Sequence, residues 1–165
     1  MKKFQEIERK FLVKNDSFKR MAMHSDTICQ GFLSVDPDRV VRVRIKGGEG
    51  FITIKSRPQK DHFAHFEYEI PIPAADAEKL LSLCLPYPIE KERFYVPIEG
   101  QELCFEVDVF HDRLEGLIVA EIELQDENQC FPHPDFLGEE VTDNTQYSNS
   151  QLSKIESFAE LNKKK

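Results

Sequence analysis

The sequence predicts a mostly β protein of the α+β class: an eight-stranded antiparallel closed β-barrel with a few flanking helices and a C-terminal helix. Three observations carry this. Strand-like stretches recur with short breaks, charged and apolar residues alternate inside nearly all of them, and Gly- or Pro-bearing turns separate them.

The strand candidates run from Phe4 to Val13, Thr27 to Val35, Val40 to Lys46, Phe51 to Arg57, Ala64 to Ile70, Lys91 to Val96, Leu103 to Phe110 and Leu117 to Gln125. Gly47-Gly48-Glu49-Gly50 joins the third and fourth. Glycine supplies the positive φ of a tight hairpin, so these two strands are expected to be antiparallel neighbours. Asp36-Pro37-Asp38 marks another turn, and Gly116 opens the last candidate. Helices are expected after Asn15-Asp16, from about Ala74 to Cys84 behind Pro71 and Pro73, and from about Ser150 to Leu161. The last is amphipathic through Leu152, Ile155, Phe158 and Leu161. The Pro-, Asp- and Asn-rich stretch from Asp126 to Asn149 reads as a long ordered loop with one turn around Pro134 to Leu137.

A chain of 165 residues without an inter-domain linker or repeat is expected to form one domain, 1–165, long enough to close a barrel. Hydrophobic residues make up 40% and charged residues 32%, so the fold has many charges to place. The net charge of -8 argues against non-specific nucleic-acid binding, which needs a basic surface excess. No apolar run is long enough to span a bilayer, and no secretory h-region is present. The expectation is a cytoplasmic protein, monomer or homodimer, that meets neither membrane nor nucleic acid. Cys29, Cys84, Cys104 and Cys130 stand singly and read as reduced packing thiols.

Residues two apart on a strand share a face. By this rule Glu6, Glu8 and Lys10 lie together, as do Arg42 and Arg44, Glu67 and Glu69, Lys91 and Arg93, Glu106 and Asp108, and Glu121 and Glu123; Lys55 lies opposite Ile52 and Ile54. A sheet with one wet face would produce alternation too, but solvated faces intersperse signs, because like charges side by side destabilise a sheet. Like-signed pairs on strand after strand imply that something of each sign is bound. In a closed barrel the cations Lys10, Arg42, Arg44, Lys55, Lys91 and Arg93 would converge on a volume suited to a chain of phosphates. Carboxylates in the same lumen repel phosphate, so divalent cations should lie between, with Mg²⁺ the best fit to oxygen ligands.

The ordered series Glu6-Ile7-Glu8-Arg9-Lys10, Val41-Arg42-Val43-Arg44, Ile54-Lys55, Glu67-Tyr68-Glu69, Glu90-Lys91-Glu92-Arg93 and Ala120-Glu121-Ile122-Glu123 resembles the CYTH, or triphosphate tunnel metalloenzyme, superfamily across essentially the whole chain. Leu137 to Thr142 and Tyr147-Ser148-Asn149 resemble its short bacterial members. The resemblance implies an eight-stranded tunnel, a small-molecule triphosphate substrate and Mg²⁺ or Mn²⁺. It implies triphosphate binding by Lys10, Arg42, Arg44, Lys55, Lys91 and Arg93. Metal binding would fall to Glu6, Glu8, Glu121 and Glu123, with Asp108, Glu67 and Glu69 as further candidates. Gln30-Gly31-Phe32 has Phe32 where many members carry an aromatic hydroxyl, and the C-terminal helix would plug one tunnel mouth.

The expected reaction is hydrolysis of inorganic triphosphate to pyrophosphate and phosphate. Water attacks a terminal phosphorus, Glu6 or Glu8 orients it, and Lys10 assists. Three alternatives stand beside it: a class IV adenylate cyclase, whose expected His-Phe pair is missing from Met1 to Gln5; a thiamine triphosphatase; and a polyphosphate or nucleotide sensor, against which the two acidic blocks speak. His62 and His65 read as surface or loop residues, and His24, His111 and His133 carry no pattern. Tyr147 to Asn149 is expected to cap the C-terminal helix rather than contact substrate.

Overall fold

A computed structural model describes residues 7–56 and 67–163, so Glu6, His62 and His65 lie outside the described residues. The elements in order are β1 (Ile7–Val13), α1 (Phe18–Met21), β2 (His24–Ser34), β3 (Val40–Lys46), β4 (Glu49–Lys55), β5 (Glu67–Ile72), α2 (Ala74–Leu81), β6 (Ile89–Pro97), β7 (Cys104–Phe110), β8 (Ile118–Leu124), β9 (Leu137–Glu140), α3 (Asn149–Leu152) and α4 (Ala159–Lys163). All pairings are antiparallel, in the order β5-β4-β3-β2-β6-β7-β8-β1-β9. No helix among the described residues is long and apolar enough to cross a membrane.

The eight expected strands are all present within the described residues, and β9 is a ninth. Leu137 N–H does bond back to Pro134 O, giving the expected turn, but the chain then runs beside β1 instead of staying a loop. Its four residues are too few for alternation to be visible. Among the described residues β5 and β9 form the two ends of the ladder; side chains from β5 and from β1 nevertheless line one cavity, so the sheet is wrapped around it. The β3–β4 hairpin turns at Gly47 and Gly48 with φ of 55° and 84°, and Lys46 pairs with Glu49, the two-residue connection that favours glycine at both positions.

Outward faces are covered unevenly. On β1, β6, β7 and β8, Phe11, Val96, Phe105, Val107, Ala120, Ile122 and Leu124 form a buried core closed by Phe18 of α1 and by Phe136. Phe105 and Phe136 meet edge to face at 5.7 Å between ring centres. Each such fully buried side chain contributes about 1.5–3 kcal/mol. On the other flank α2 packs on β2, β3 and β4. It is only eight residues long, and Ile54, Tyr68 and Ile70 beyond it stay exposed, so the few flanking helices leave part of the outward apolar face uncovered.

The expected C-terminal helix is interrupted. α3 ends at Leu152 and α4 begins at Ala159. Arg113 explains the gap: its Nη1 donates to Leu152 O at 2.9 Å and Ile155 O at 2.8 Å, taking carbonyls that a continuous helix would offer to its own amides. Ser153 Oγ also bonds back to Ser150 O at 2.7 Å, a competitor of helical pairing. The apolar stripe survives the break, since Leu152, Ile155 and Leu161 are buried against Ile89, Phe110, Leu117 and Val119. Ile89, Phe110 and Val119 lie on the inward faces of their strands, so the C-terminal segment seals one end of the wrapped sheet.

Candidate active site

Inside the wrap lies a cavity of about 560 Å³, walled by residues from β1 through β8 and by Ser148, Asn149 and Ser150. Strand alternation delivers the wall. Glu8 and Lys10 of β1, Arg42 and Arg44 of β3, Lys55 of β4, Glu67 and Glu69 of β5, Arg93 of β6, and Glu121 and Glu123 of β8 all point into it. Lys91 and Asp108 share the inward faces of β6 and β7 but lie behind the surface, each 2% exposed.

Cross-strand register explains how like-signed pairs can coexist. Lys10 pairs with Glu121, Arg93 with Asp108 and Lys55 with Glu67, so most like-signed pairs on one strand meet the opposite sign on the next. Two regions escape this balance. On β7, β8 and β1, Glu106 pairs with Glu121 and Glu123 with Glu8, leaving a carboxylate excess that Lys10 answers at 3.4 Å from Glu121 and 3.9 Å from Glu8, and Arg93 at 2.7 Å from Glu106. On β3, Arg42 and Arg44 both depend on Glu69, at 3.5 and 3.3 Å. The cavity therefore has an acidic wall and a basic wall.

The acidic wall is strained electrostatically. The Glu8 side chain keeps 44% exposure toward the cavity yet is hemmed in by protein, and burial together with the Glu121 carboxylate pushes its carboxyl up to about 8, against the pull of Lys10. On the basic wall, burial and then Arg44 lower Arg42 to about 10. Thr53, between them, donates to Glu69 Oε2 at 2.6 Å and accepts from Arg42 at 3.2 Å, fixing the carboxylate that serves both arginines.

The floor is an ion cluster. Asp108 accepts from Lys91 at 2.7 Å and from Arg93 at 2.7 and 2.9 Å, and Arg93 reaches Glu106 at 2.7 Å as well. Lys91 also donates to Asn149 Oδ1 at 3.1 Å. Asp108 is thus shared by two cations, of which only Arg93 reaches a second carboxylate. Asp108 is held well below the usual carboxylate range against burial, whereas burial lowers Lys91 to about 8 because it has only a share of that anion.

Of the residues expected at the site, Glu8, Lys10, Arg42, Arg44, Lys55, Glu67, Glu69, Arg93, Glu121 and Glu123 converge on the cavity. Lys91 and Asp108 support it from behind. Thr53, Glu106 and Ser148 to Ser150 are wall residues that the sequence reading did not assign. Thr53 and Glu106 carried a signal, standing two residues from Lys55 and Asp108 on the same faces. Ser148 does cap α3 as expected, accepting from Gln151 N at 3.3 Å, but the same turn also walls the cavity, and Lys10 Nζ reaches Tyr147 O at 3.4 Å. Phe32, 4% exposed, lines the wall with no hydroxyl to offer.

The model of the CYTH domain family matches residues 5–159. The chain belongs to the CYTH domain family. Two relatives named inorganic triphosphatase align along nearly their whole lengths with this CYTH domain. That of Acetivibrio thermocellus is 42% identical over 150 residues, covering 91% of this chain and 94% of its own. That of Nitrosomonas europaea is 36% identical over 151 residues, covering 90% and 96%. A solved inorganic triphosphatase structure superposes on this CYTH domain with a TM-score of 0.66 at 34% identity, covering 90% of this chain and 94% of that one.

Proposed function

We propose that this chain, acting as a single tunnel-type domain, hydrolyses inorganic triphosphate to pyrophosphate and phosphate with a divalent cation on its acidic wall. The observation that carries this is the pairing of opposed walls in one cavity, carboxylates on β1 and β8 across from Arg42, Arg44 and Lys55. A polyanion alone would want only the basic wall. The relatives named inorganic triphosphatase support the choice of substrate.

The donor set fits Mg²⁺ or Mn²⁺. Among the described residues no group of three acidic, imidazole or thiol side chains is assembled for a metal, but such hard cations take one or two carboxylates plus substrate phosphates. Glu8 and Glu121 are the pair whose repulsion a cation relieves, with Glu123 beside Glu8 in register. Glu6 is proposed as a further ligand from its sequence position. Bound there, the ion would supply charge neutralisation and polarise the phosphorus under attack.

The chain's own residues do the rest. Arg42, Arg44, Lys55 and Arg93 hold phosphoryl oxygens and stabilise the charge that builds on the transferring group. Lys10, held by Glu121 and Tyr147 O, sits within the acidic wall, where it offers a positive charge to the substrate beside the metal carboxylates. Glu8 accepts a hydrogen bond from the attacking water and orients it. Glu67 and Glu69 are assigned to tethering Lys55 and the two arginines rather than to metal, and Asp108, with both oxygens engaged, to positioning Lys91 and Arg93. The test is incubation with Mg²⁺ or Mn²⁺ and either tripolyphosphate or ATP, measuring phosphate, pyrophosphate and cyclic AMP. Phosphate from tripolyphosphate is expected. Cyclic AMP from ATP would mark a cyclase, and no turnover of either would mark a sensor.

A further inference from the structure

The Asn149 side chain is pinned at one end and open at the other. Its Oδ1 accepts from Lys91 Nζ at 3.1 Å. A lysine ammonium only donates, so it decides which half of the amide faces the floor and turns the Nδ2 group, with its two hydrogens, away from it. Asn149 is half-buried and forms part of the cavity wall. Among the described residues its Nδ2 meets no acceptor, and it is not one of the atoms shut away from solvent.

The surroundings hold this donor still. Lys91 is 2% exposed and is itself fixed by Asp108 at 2.7 Å. The backbone around Asn149 is tied as well: Lys10 Nζ reaches Tyr147 O at 3.4 Å, and Ser153 N donates to Asn149 O at 2.9 Å. The capping expected of this turn falls to Ser148, whose Oγ accepts from Gln151 N, and that leaves the Asn149 amide with no structural use for its hydrogens. A donor ordered before its ligand arrives loses little freedom on binding. The donor also selects the ligand. With Oδ1 engaged, Asn149 offers hydrogens and no lone pair, so it suits acceptor oxygens and not a metal ion.

We propose that Asn149 is a substrate-binding residue, its Nδ2 donating to a phosphoryl oxygen in the cavity while Lys91 holds its Oδ1. The segment that follows β9 is then part of the active site as well as its seal. This deepens the triphosphatase reading and rests on it.

The experiment measures tripolyphosphate binding in EDTA, where turnover does not interfere, by calorimetry on wild type, Asn149→Asp and Asn149→Leu, together with each ligand-free Tm. Both variants remove the donor, but they treat the floor in opposite ways. Aspartate keeps an oxygen on Lys91 and adds a charge to it, so Tm stays level or rises. Leucine deletes that hydrogen bond, so Tm falls, and it leaves the Lys91 charge less answered, which by itself favours an anion. Weaker binding in Asn149→Leu therefore cannot come from charge, and weaker binding in Asn149→Asp cannot come from an unheld Lys91. A lost hydrogen bond to a charged group weakens binding by roughly tenfold or more. That loss is expected in Asn149→Leu, and a larger one in Asn149→Asp, which also repels phosphate. Asn149→Ala gives the same reading as leucine if the leucine variant does not fold. Unchanged affinity in the leucine or alanine variant overturns the assignment and makes Asn149 a strut for Lys91, as does a loss confined to Asn149→Asp; either result leaves the triphosphatase reading standing. A wild type that neither binds nor cleaves tripolyphosphate overturns both.

Discussion

Replacing Asp108 by Asn tests the floor of the site most directly. Asp108, Lys91 and Arg93 are 2%, 2% and 9% exposed and joined by three hydrogen bonds of 2.7 to 2.9 Å. An amide oxygen can satisfy only part of that set and carries no charge, so Lys91 loses its carboxylate partner and Arg93 keeps only the more exposed Glu106. Breaking a buried ion pair by removing one partner costs about 3–5 kcal/mol. At this chain length 1 kcal/mol moves Tm by about 2–4 °C, so the ligand-free variant should melt roughly 6–20 °C lower at pH 7. Thermal unfolding followed by circular dichroism in EDTA reads this without interference from metal. The pH dependence has a definite sign. Asp108 is depressed in the folded state, so its contribution is present above the ordinary carboxylate range and fades as pH falls below it. The variant should lack that acid-side loss. Lys91, already lowered to about 8, loses the anion that raises it and drops further, so its share of the deficit should narrow as pH rises to about 8, above which Lys91 is neutral in both proteins. A Tm shift under about 2 °C, on the same scale, would refute the reasoning; weaker metal binding with such an unchanged Tm would instead make Asp108 a metal ligand.

Three further outcomes are expected. Glu8→Gln should abolish metal-dependent phosphate release while leaving Tm unchanged or higher, because an amide beside Glu121 relieves a carboxylate pair; normal turnover would remove Glu8 from the reaction. Arg113→Met should free the C-terminal segment by deleting bonds to the carbonyls of Tyr87, Pro88, Leu152 and Ile155, with faster amide exchange across residues 149–163 and a stability loss of about 2–4 kcal/mol, at about 1 kcal/mol or less per bond. Exchange rates equal to wild type would show that packing alone holds the seal. Gly31→Ala should cost about 1–3 kcal/mol by overpacking, as its Cβ would fall 2.6 Å from Cys84 Cβ and 2.9 Å from Sγ; denaturant unfolding with an unchanged midpoint would contradict that close approach.

The period-two alternation of charge determined much of this protein directly. A strand has only two faces, so Glu8 with Lys10, Arg42 with Arg44 and Glu121 with Glu123 had to lie together, and the Gly47-Gly48 turn fixed one hairpin. The apolar stripe of Leu152, Ile155 and Leu161 was legible for the same reason. Tertiary structure decided what the inward charges do, because that depends on cross-strand register and depth. Asp108 and Glu121 look alike along the chain, yet one is shut behind the wall between Lys91 and Arg93 while the other stands beside Glu8 on the acidic wall. The break after α3 followed from Arg113, 39 and 42 residues away from the carbonyls it takes, a contact no local propensity encodes. β9 and the bare outer face of Ile54, Tyr68 and Ile70 were settled the same way, by which segments the wrapped sheet had left to pair or cover it. Gln30 is the extreme case. The sequence shows one amide beside a glycine, and only the wrapped sheet buries it beside Arg44 with its hydrogen bonds unmade.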